Sequence, residues 1–297
     1  MEGFMSLKIA LLGTGLMGFP MSQNLLKAGF NLSVWNRTKT KATPLQQDGA
    51  TVCETVSDAV KNADMIITML ENGPVVEDIL FTQGNVNAIQ NNAIIIDMGS
   101  IPPAMAQDHS KRLAEKNIHH LDAPVSGGTK GATEATLTIM CGGEEAIFQR
   151  ALPIFKAMGR ATYIGPSGTG QLSKCANQVI VGNTIAAISE GLLLAAAGGA
   201  NPAAVREALS GGFADSRILQ EHGMRMLERN FEPGAMCKTQ LKDLRTALEA
   251  IDGINLPVTQ TTKCLYEKLI RKGHETLDHS SLLLELEALN KPHQLTK

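Results

Sequence analysis

Through the first half of the chain, short apolar runs alternate with polar or amphipathic stretches. The runs at 7–12, 31–35, 65–69, 93–97, 119–121, 137–141 and 162–164 predict strands, and the stretches 16–28, 38–48, 58–62, 74–80, 102–116 and 144–158 predict helices between them. Runs such as Met-Ile-Ile-Thr-Met and Ala-Ile-Ile-Ile-Asp are continuously apolar, the pattern of strands covered by helices on both faces. Near residue 165 the character changes. After Gly165-Pro166-Ser167-Gly168-Thr169-Gly170 the β-branched runs end and helix is predicted to the C-terminus, starting with one long helix over about 169–197. That helix is apolar nearly all round, which predicts burial on most sides and a subunit contact. Asn201-Pro202 reads as the cap and first residue of the next helix, and Gly211-Gly212 as a stop.

The pattern predicts an α/β protein: a doubly wound, mostly parallel sheet over 1–166, then an all-helical substrate and oligomerisation domain over 167–297. A chain of 297 residues suits two domains. With 43% hydrophobic and 19% charged residues it has the composition of an ordinary globular protein. A net charge of -2 and only 4% aromatics give no case for nucleic acid. No apolar run is read as approaching the roughly 20 residues of a bilayer span, so no membrane partner is expected. Residues 1–5 read as a short extension, with Met5 an equally good start. The five cysteines are scattered without metal-site spacing, and the pair His119-His120 reads as strand or loop surface. Reduced cysteines, a cytoplasmic location and no metal are expected.

The strongest chemical signal is the spacing Gly13-x-Gly15-x-x-Gly18 between the first strand and first helix. Gly13 permits the tight turn, Gly15 lets main chain approach a pyrophosphate, and Gly18 lets helix pack on strand, which is the dinucleotide-binding arrangement of a Rossmann domain. Thr14, Leu16 and Met17 lie on the same turn, and the helix N-terminus offers its amides to phosphate. At the end of the second strand stands Asn36-Arg37-Thr38 rather than a carboxylate. An arginine can form charge-assisted bonds to a 2′-phosphate, so NADP(H) is expected in preference to NAD(H). Met69-Leu70-Glu71 and Ser100 follow two further strand ends and are expected on the same crevice.

Four segments carry a family resemblance that runs essentially from end to end. They are the glycine segment, DAPVSGGTKGATEATLTIMCGG at 122–143, GTGQLSKCANQVIVG at 168–182 and QLKDLRTALE at 240–249. The chain resembles the β-hydroxyacid dehydrogenases, which interconvert a small β-hydroxy acid and its semialdehyde with a nicotinamide cofactor. GGFADSRIL at 211–219 and LDHSSLL at 277–283 look closest to the tartronate semialdehyde reductase branch. 3-Hydroxyisobutyrate dehydrogenase, a glyoxylate/succinic semialdehyde reductase, and a non-catalytic NADP-binding module are the alternatives.

The resemblance implies Lys174 as the catalytic lysine, with Asn177 one helical turn on. It implies Ser126, Gly127 and Gly128 as a cradle for the substrate carboxylate. Gln178 stands where relatives often carry a second asparagine, which leaves open which amide meets substrate. Lys242 would reach cofactor or substrate, with Asp243 beside it. Relatives usually have leucine at Thr14 and serine or threonine at Gly99. A homodimer or homotetramer is implied.

Overall fold

The computed structural model describes residues 7–295, so the extension at residues 1–5 lies outside the described residues. The chain divides into two compact units, Met1–Lys174 and Cys175–Lys297.

The first unit is built on one sheet. Strands β1 (Lys8–Leu12), β2 (Asn31–Trp35), β3 (Thr51–Val52), β4 (Met65–Thr68), β5 (Ile94–Asp97), β6 (His119–Asp122), β7 (Val125–Ser126), β8 (Leu137–Gly143) and β9 (Gly159–Gly165) lie in the order β3-β2-β1-β4-β5-β6-β8-β7, with β9 also on β8. The first six are mutually parallel, β1 pairing residue for residue with β2 from Lys8↔Asn31 to Leu12↔Trp35. Strand order reverses between β1 and β4, so both carboxyl ends open on one crevice. Alternate side chains of β1 serve opposite faces. Ile9 and Leu11 join the core made with α1 (Gly18–Lys27) and α6 (Glu145–Met158); Ala10 and Leu12 join the core under α2 (Val56–Val60), α3 (Gly73–Glu77) and α4 (Pro103–Ala114). Two covered faces explain why these strands are apolar throughout.

Local chemistry sets the helix starts. The Thr55 hydroxyl accepts from Asp58 N at the head of α2, and the Asn72 side chain accepts from Val75 N at the head of α3. The structure corrects the sequence reading in places. The stretch 38–48 forms two 3-10 turns, Lys39–Lys41 and Thr43–Gln46, because Pro44 interrupts amide bonding. Strands β3 and β7 and the helix α5 (Gly128–Glu134) were not expected, and β8 runs antiparallel to β6 and β7. His120 is not surface: it is 6% exposed within β6, and burial pushes its imidazole down to about 3.

The long helix α7 (Thr169–Ala197) spans the expected range. Burial on most sides is corrected, however, because only 39% of its most apolar 18-residue window is covered in the single chain. Leu172 (38% exposed), Ile180 (64%) and Leu194 (75%) share an uncovered stripe. The reading that no run has the length of a bilayer span is corrected too: α7 has 29 residues and a mean hydropathy of 1.7 in that window. Its buried positions include Gln171 and Ser189, and its covered side belongs to packed cores, as in a core helix of a globular protein.

The second unit contains the rest of α7 with α8 (Pro202–Leu209), α9 (Arg217–Glu228), α10 (Cys237–Glu249), α11 (Pro257–Arg271) and α12 (Leu282–Leu289). Asn201 caps α8 as expected, accepting from Ala203 N and Ala204 N. The core gathers Ile185 and Leu192 of α7 with Met226, Leu244, Tyr266 and Leu282. All five cysteines are free thiols.

Candidate functional site

Beyond β1 the chain turns through Gly13, whose φ of 104° lies in the region that only glycine adopts readily. A Cβ on Gly18 would stand 1.9 Å from Gly13 O, so the turn and the first residue of α1 are fitted to each other. Gly15 differs: a Cβ there would meet nothing within 4 Å. The fold leaves space over Gly15 that it does not itself use, which fits main-chain approach by a pyrophosphate. The head of α1 has no side-chain cap and no acidic residue in its first turn. Its leading amides therefore suit an anion, and Leu16 and Met17 lie on that turn. The Thr14 hydroxyl is buried without a hydrogen-bond partner.

Asn36 acts as a staple. Its carbonyl accepts from Thr14 N at 3.0 Å and its amide donates to Thr38 O at 2.9 Å, which ties the β1 and β2 turns together. Arg37 beside it is exposed and forms no salt bridge among the described residues. The β4 and β5 ends meet the glycine turn: Met69 N donates to Leu12 O at 2.9 Å, and a Cβ on Gly13 would stand 2.4 Å from Met69 O. Leu70 is half-buried, Glu71 exposed, and Ser100 half-buried. Thus Gly13, Gly15, Gly18, Asn36 and Met69 converge at one end of the sheet.

Two acids at this end were missed from sequence. Asp97 is fully buried; its Oδ1 accepts from the Thr68 hydroxyl at 2.8 Å and Gly99 N at 3.1 Å, and its Oδ2 has no partner. Burial raises its carboxyl to about 7 against those two bonds. Asp122 closes β6 and accepts from Gly168 N and Gln171 N, both at 2.8 Å. Burial lifts this carboxyl to about 6, with the main-chain donors opposing. The Gln171 side chain in turn accepts from Ile101 N at 3.1 Å and donates to Gly99 O at 2.8 Å.

These bonds hold the first turn of α7 against the sheet. A Cβ on Gly170 would come within 2.2 Å of Asp122 O and 2.6 Å of Met140 O, so only glycine permits the approach. Half-buried Lys174 lies one turn beyond Gln171. Ser126, also half-buried, ends β7 four residues after Asp122. Gly127 and Gly128 follow with φ of 127° and 61°, and no atom would meet a Cβ on Gly128. The short segment at 126–128 therefore presents main chain as well as a hydroxyl.

In the second unit, Asn177 Nδ2 donates to Gln178 Oε1 at 2.8 Å, and Gln178 Nε2 donates to Asp243 Oδ2 at 2.7 Å. Lys242 Nζ pairs with Asp243 Oδ1 at 3.1 Å. Four candidate residues from helices α7 and α10 thus form one polar network. Gln240 joins it, donating to Gln178 O at 3.1 Å, and sequence alone gave no reason to select it.

The chain is similar to known proteins along nearly its whole length. Residues 8–165 match the family described as the NAD binding domain of 6-phosphogluconate dehydrogenase. Residues 168–286 match the family described as NAD-binding of NADP-dependent 3-hydroxyisobutyrate dehydrogenase. The chain is 42% identical over 287 residues to 2-hydroxy-3-oxopropionate reductase of Escherichia coli K12, covering 95% of this chain and 98% of the relative. It is 31% identical over 281 residues to glyoxylate/succinic semialdehyde reductase 1 of Arabidopsis thaliana, covering 93% and 97%. A solved structure of Mycobacterium tuberculosis 3-hydroxyisobutyrate dehydrogenase with L-serine is similar at a TM-score of 0.87 and 30% identity, covering 94% of this chain and 99% of that one.

Proposed function

Because this chain belongs to the β-hydroxyacid dehydrogenase family of NAD(P)-dependent oxidoreductases, we propose that it reduces a small semialdehyde acid with NADPH, tartronate semialdehyde (2-hydroxy-3-oxopropionate) being the preferred substrate. The observation that carries the substrate choice is the near full-length 42% identity to 2-hydroxy-3-oxopropionate reductase. The second reading, a glyoxylate or succinic semialdehyde reductase, draws on the similarity to the plant enzyme of that name.

When bound, the nicotinamide supplies the hydride. Lys174 is the proton donor to the carbonyl oxygen, where negative charge develops as the carbonyl is reduced. It suits that task because it is the only charged residue of α7 before Glu190, on a helix head fixed by Asp122. Ser126, Gly127 and Gly128 receive the substrate carboxylate. Asn177, seconded by Gln178, orients the lysine or the substrate hydroxyl, and Lys242, paired with Asp243, is a further residue for cofactor or substrate. Gly13 to Gly18 hold the pyrophosphate, Thr14 adding a hydroxyl. Arg37 and Thr38 hold the 2′-phosphate, with Asn36 fixing their turn, and Met69, Leu70, Glu71 and Ser100 border the nucleoside and ribose. The working form is a cytoplasmic homodimer or homotetramer, which the uncovered apolar stripe of α7 supports.

The test is NADPH oxidation, followed at 340 nm, with tartronate, succinic, methylmalonic and glyoxylic aldehydes at equal concentration. The proposal expects the highest kcat/KM on tartronate semialdehyde. A higher value on any of the others reassigns the substrate, since chain length changes binding by only about 1–3 kcal/mol.

A further inference from the structure

Next to the Gln178 network the second unit sets buried Asp278, half-buried His222 and buried His279 in series. Asp278 Oδ1 faces His222 Nδ1 at 3.6 Å, His222 Nε2 faces His279 Nε2 at 3.2 Å, and His279 Nδ1 faces Gln240 Oε1 at 3.3 Å. The orientation of Gln240 is fixed by its other contact. Its nitrogen must face Gln178 O, because a main-chain carbonyl only accepts, so its oxygen is the atom toward His279. His222 Nδ1 is buried with no hydrogen-bond partner among the described residues, and the group it faces, at ion-pair distance, is the Asp278 carboxylate.

Both ends of the series are therefore acceptors: the two hydrogen-bond contacts need one proton each, and a third is needed on His222 Nδ1, which would otherwise set a bare lone pair against the Asp278 carboxylate. Two neutral imidazoles bring only two. The series closes when His222 is an imidazolium and His279 is neutral with its proton on Nδ1. Both hydrogen bonds are then donor to acceptor, and the His222–Asp278 contact is an ion pair.

We propose that His222 and His279 are positioning residues that share one extra proton, and that this proton braces Gln240 and, through it, Gln178 beside Asp243. The functional half of the proposal rests on the reading that Asn177 and Gln178 face substrate. The charged neighbours are consistent with it. The Arg225 guanidinium is 3.5 Å from Asp278 Oδ2. Burial alone would raise the Asp278 carboxyl, but the one positive charge carried by the His222–His279 pair and the bonds from Ser280 together hold it well below the usual carboxylate range. The Cys237 thiol, 3.4 Å from Asp278 O, is pushed by burial up to about 11 and is neutral. The Tyr266 phenol, raised above its ordinary value by burial, donates to His279 O at 2.9 Å and adds no charge. Lys242 and Asp243 pair with each other at the far end.

A metal ion fits less well than a proton. His222, Asp278 and His279 bring donor atoms within 4.8 Å of one another. Yet Asp278 Oδ1 already accepts from Ser280 N and Oγ, and Oδ2 from Gly234 N and Ala235 N. Two imidazoles alone fall short of the three or four ligands a zinc site takes.

The experiment has two arms on the full-length, chelator-treated protein. Long-range ¹H–¹⁵N spectra of the histidines are recorded across pH. At low pH they are expected to show both His222 nitrogens protonated and His279 protonated on Nδ1 only, with one proton lost from the pair as pH rises. An Nε2 proton on His279, independent titration of the rings, or one zinc bound per chain at the two Nε2 atoms overturns the relay. This arm needs no substrate, so it stands even if the substrate reading fails. In the kinetic arm, kcat/KM for the semialdehyde falls about 2–10-fold as the pair loses its proton, the worth of one hydrogen bond. NADPH affinity does not follow. In His279→Asn the amide replaces the Nδ1 donor, so the low-pH rate stays within about twofold and that step vanishes. Survival of the step in His279→Asn overturns the coupling.

Discussion

The Asp122 carboxylate at the end of β6 accepts the main-chain N–H of Gln171 at 2.8 Å, so the last of the six mutually parallel strands grips the first turn of the helix that carries Lys174. A second bond from Gly168 N makes Asp122 an N-terminal clamp. Asp122→Ala strands two buried amides, each costing about 1–3 kcal/mol. The variant is expected to lose about 2–5 kcal/mol in urea unfolding and to lose turnover along with it. Asp122→Asn keeps one acceptor and should lose about half as much. A stability loss below about 1 kcal/mol for the alanine variant would show that α7 is held by packing alone.

Asp97 predicts a pH dependence of stability. Its carboxyl is raised from 3.8 to about 7 in the folded chain, so between those values the native state binds more protons than the unfolded one. Its contribution is complete below about pH 4 and is lost progressively as pH rises to about 7. Tm of the wild type should therefore fall relative to Asp97→Asn over that interval and run parallel to it above about pH 8. Parallel curves over the whole range would mean that Asp97 is ionised at its ordinary value.

The glycines of the first turn separate fold from ligand. Gly15→Ala adds a methyl to open space, so Tm should stay near wild type while the NADPH Kd rises at least about tenfold, a loss of roughly 1.4 kcal/mol. Gly18→Ala puts a Cβ against Gly13 O and should destabilise by about 1–3 kcal/mol, the range of overpacking. Unchanged cofactor affinity in Gly15→Ala would remove the pyrophosphate from that position.

In the proposed reading Arg37 selects between the two cofactors. Arg37→Ala should weaken NADPH by roughly 10–100-fold, from the loss of a charge-assisted bond of about 1.5–3 kcal/mol, and leave NADH nearly unchanged. Arg37→Asp should go further through repulsion of the phosphate. Equal losses for both dinucleotides, read by fluorescence titration, would take the arginine out of the 2′-phosphate site.

Lys174→Ala should lower kcat by about 10²–10⁴, the usual contribution of a general acid, with NADPH Kd within about twofold. Lys174→Arg should rescue poorly, because a guanidinium is a weak proton donor near neutral pH. Near-normal turnover in the alanine variant would place the proton donor elsewhere.

Wherever structure follows from neighbours in sequence, the chain itself determined the outcome. The continuous apolar runs of β1, β4 and β5, the Gly13–Gly18 turn, the Asn201 cap and the span of α7 were all legible, because each rests on local periodicity or a local steric rule. The motif residues on α7 and at 126–128 were equally legible as motifs. What remained hidden depends on residues far apart in the chain. Strand β3 has two residues, and the glycine-rich segment of α5 has no apolar period, so neither carried a signal. An apolar run fixes no direction, and only pairing with β6 and β7 made β8 antiparallel. The burial of His120 and Asp97, the clamp from Asp122 to Gln171 across 49 residues, and the series from Asp278 through His222 and His279 to Gln240 are long-range. Desolvation and hydrogen-bond partnership decide what such groups do, and both exist only once the chain has packed.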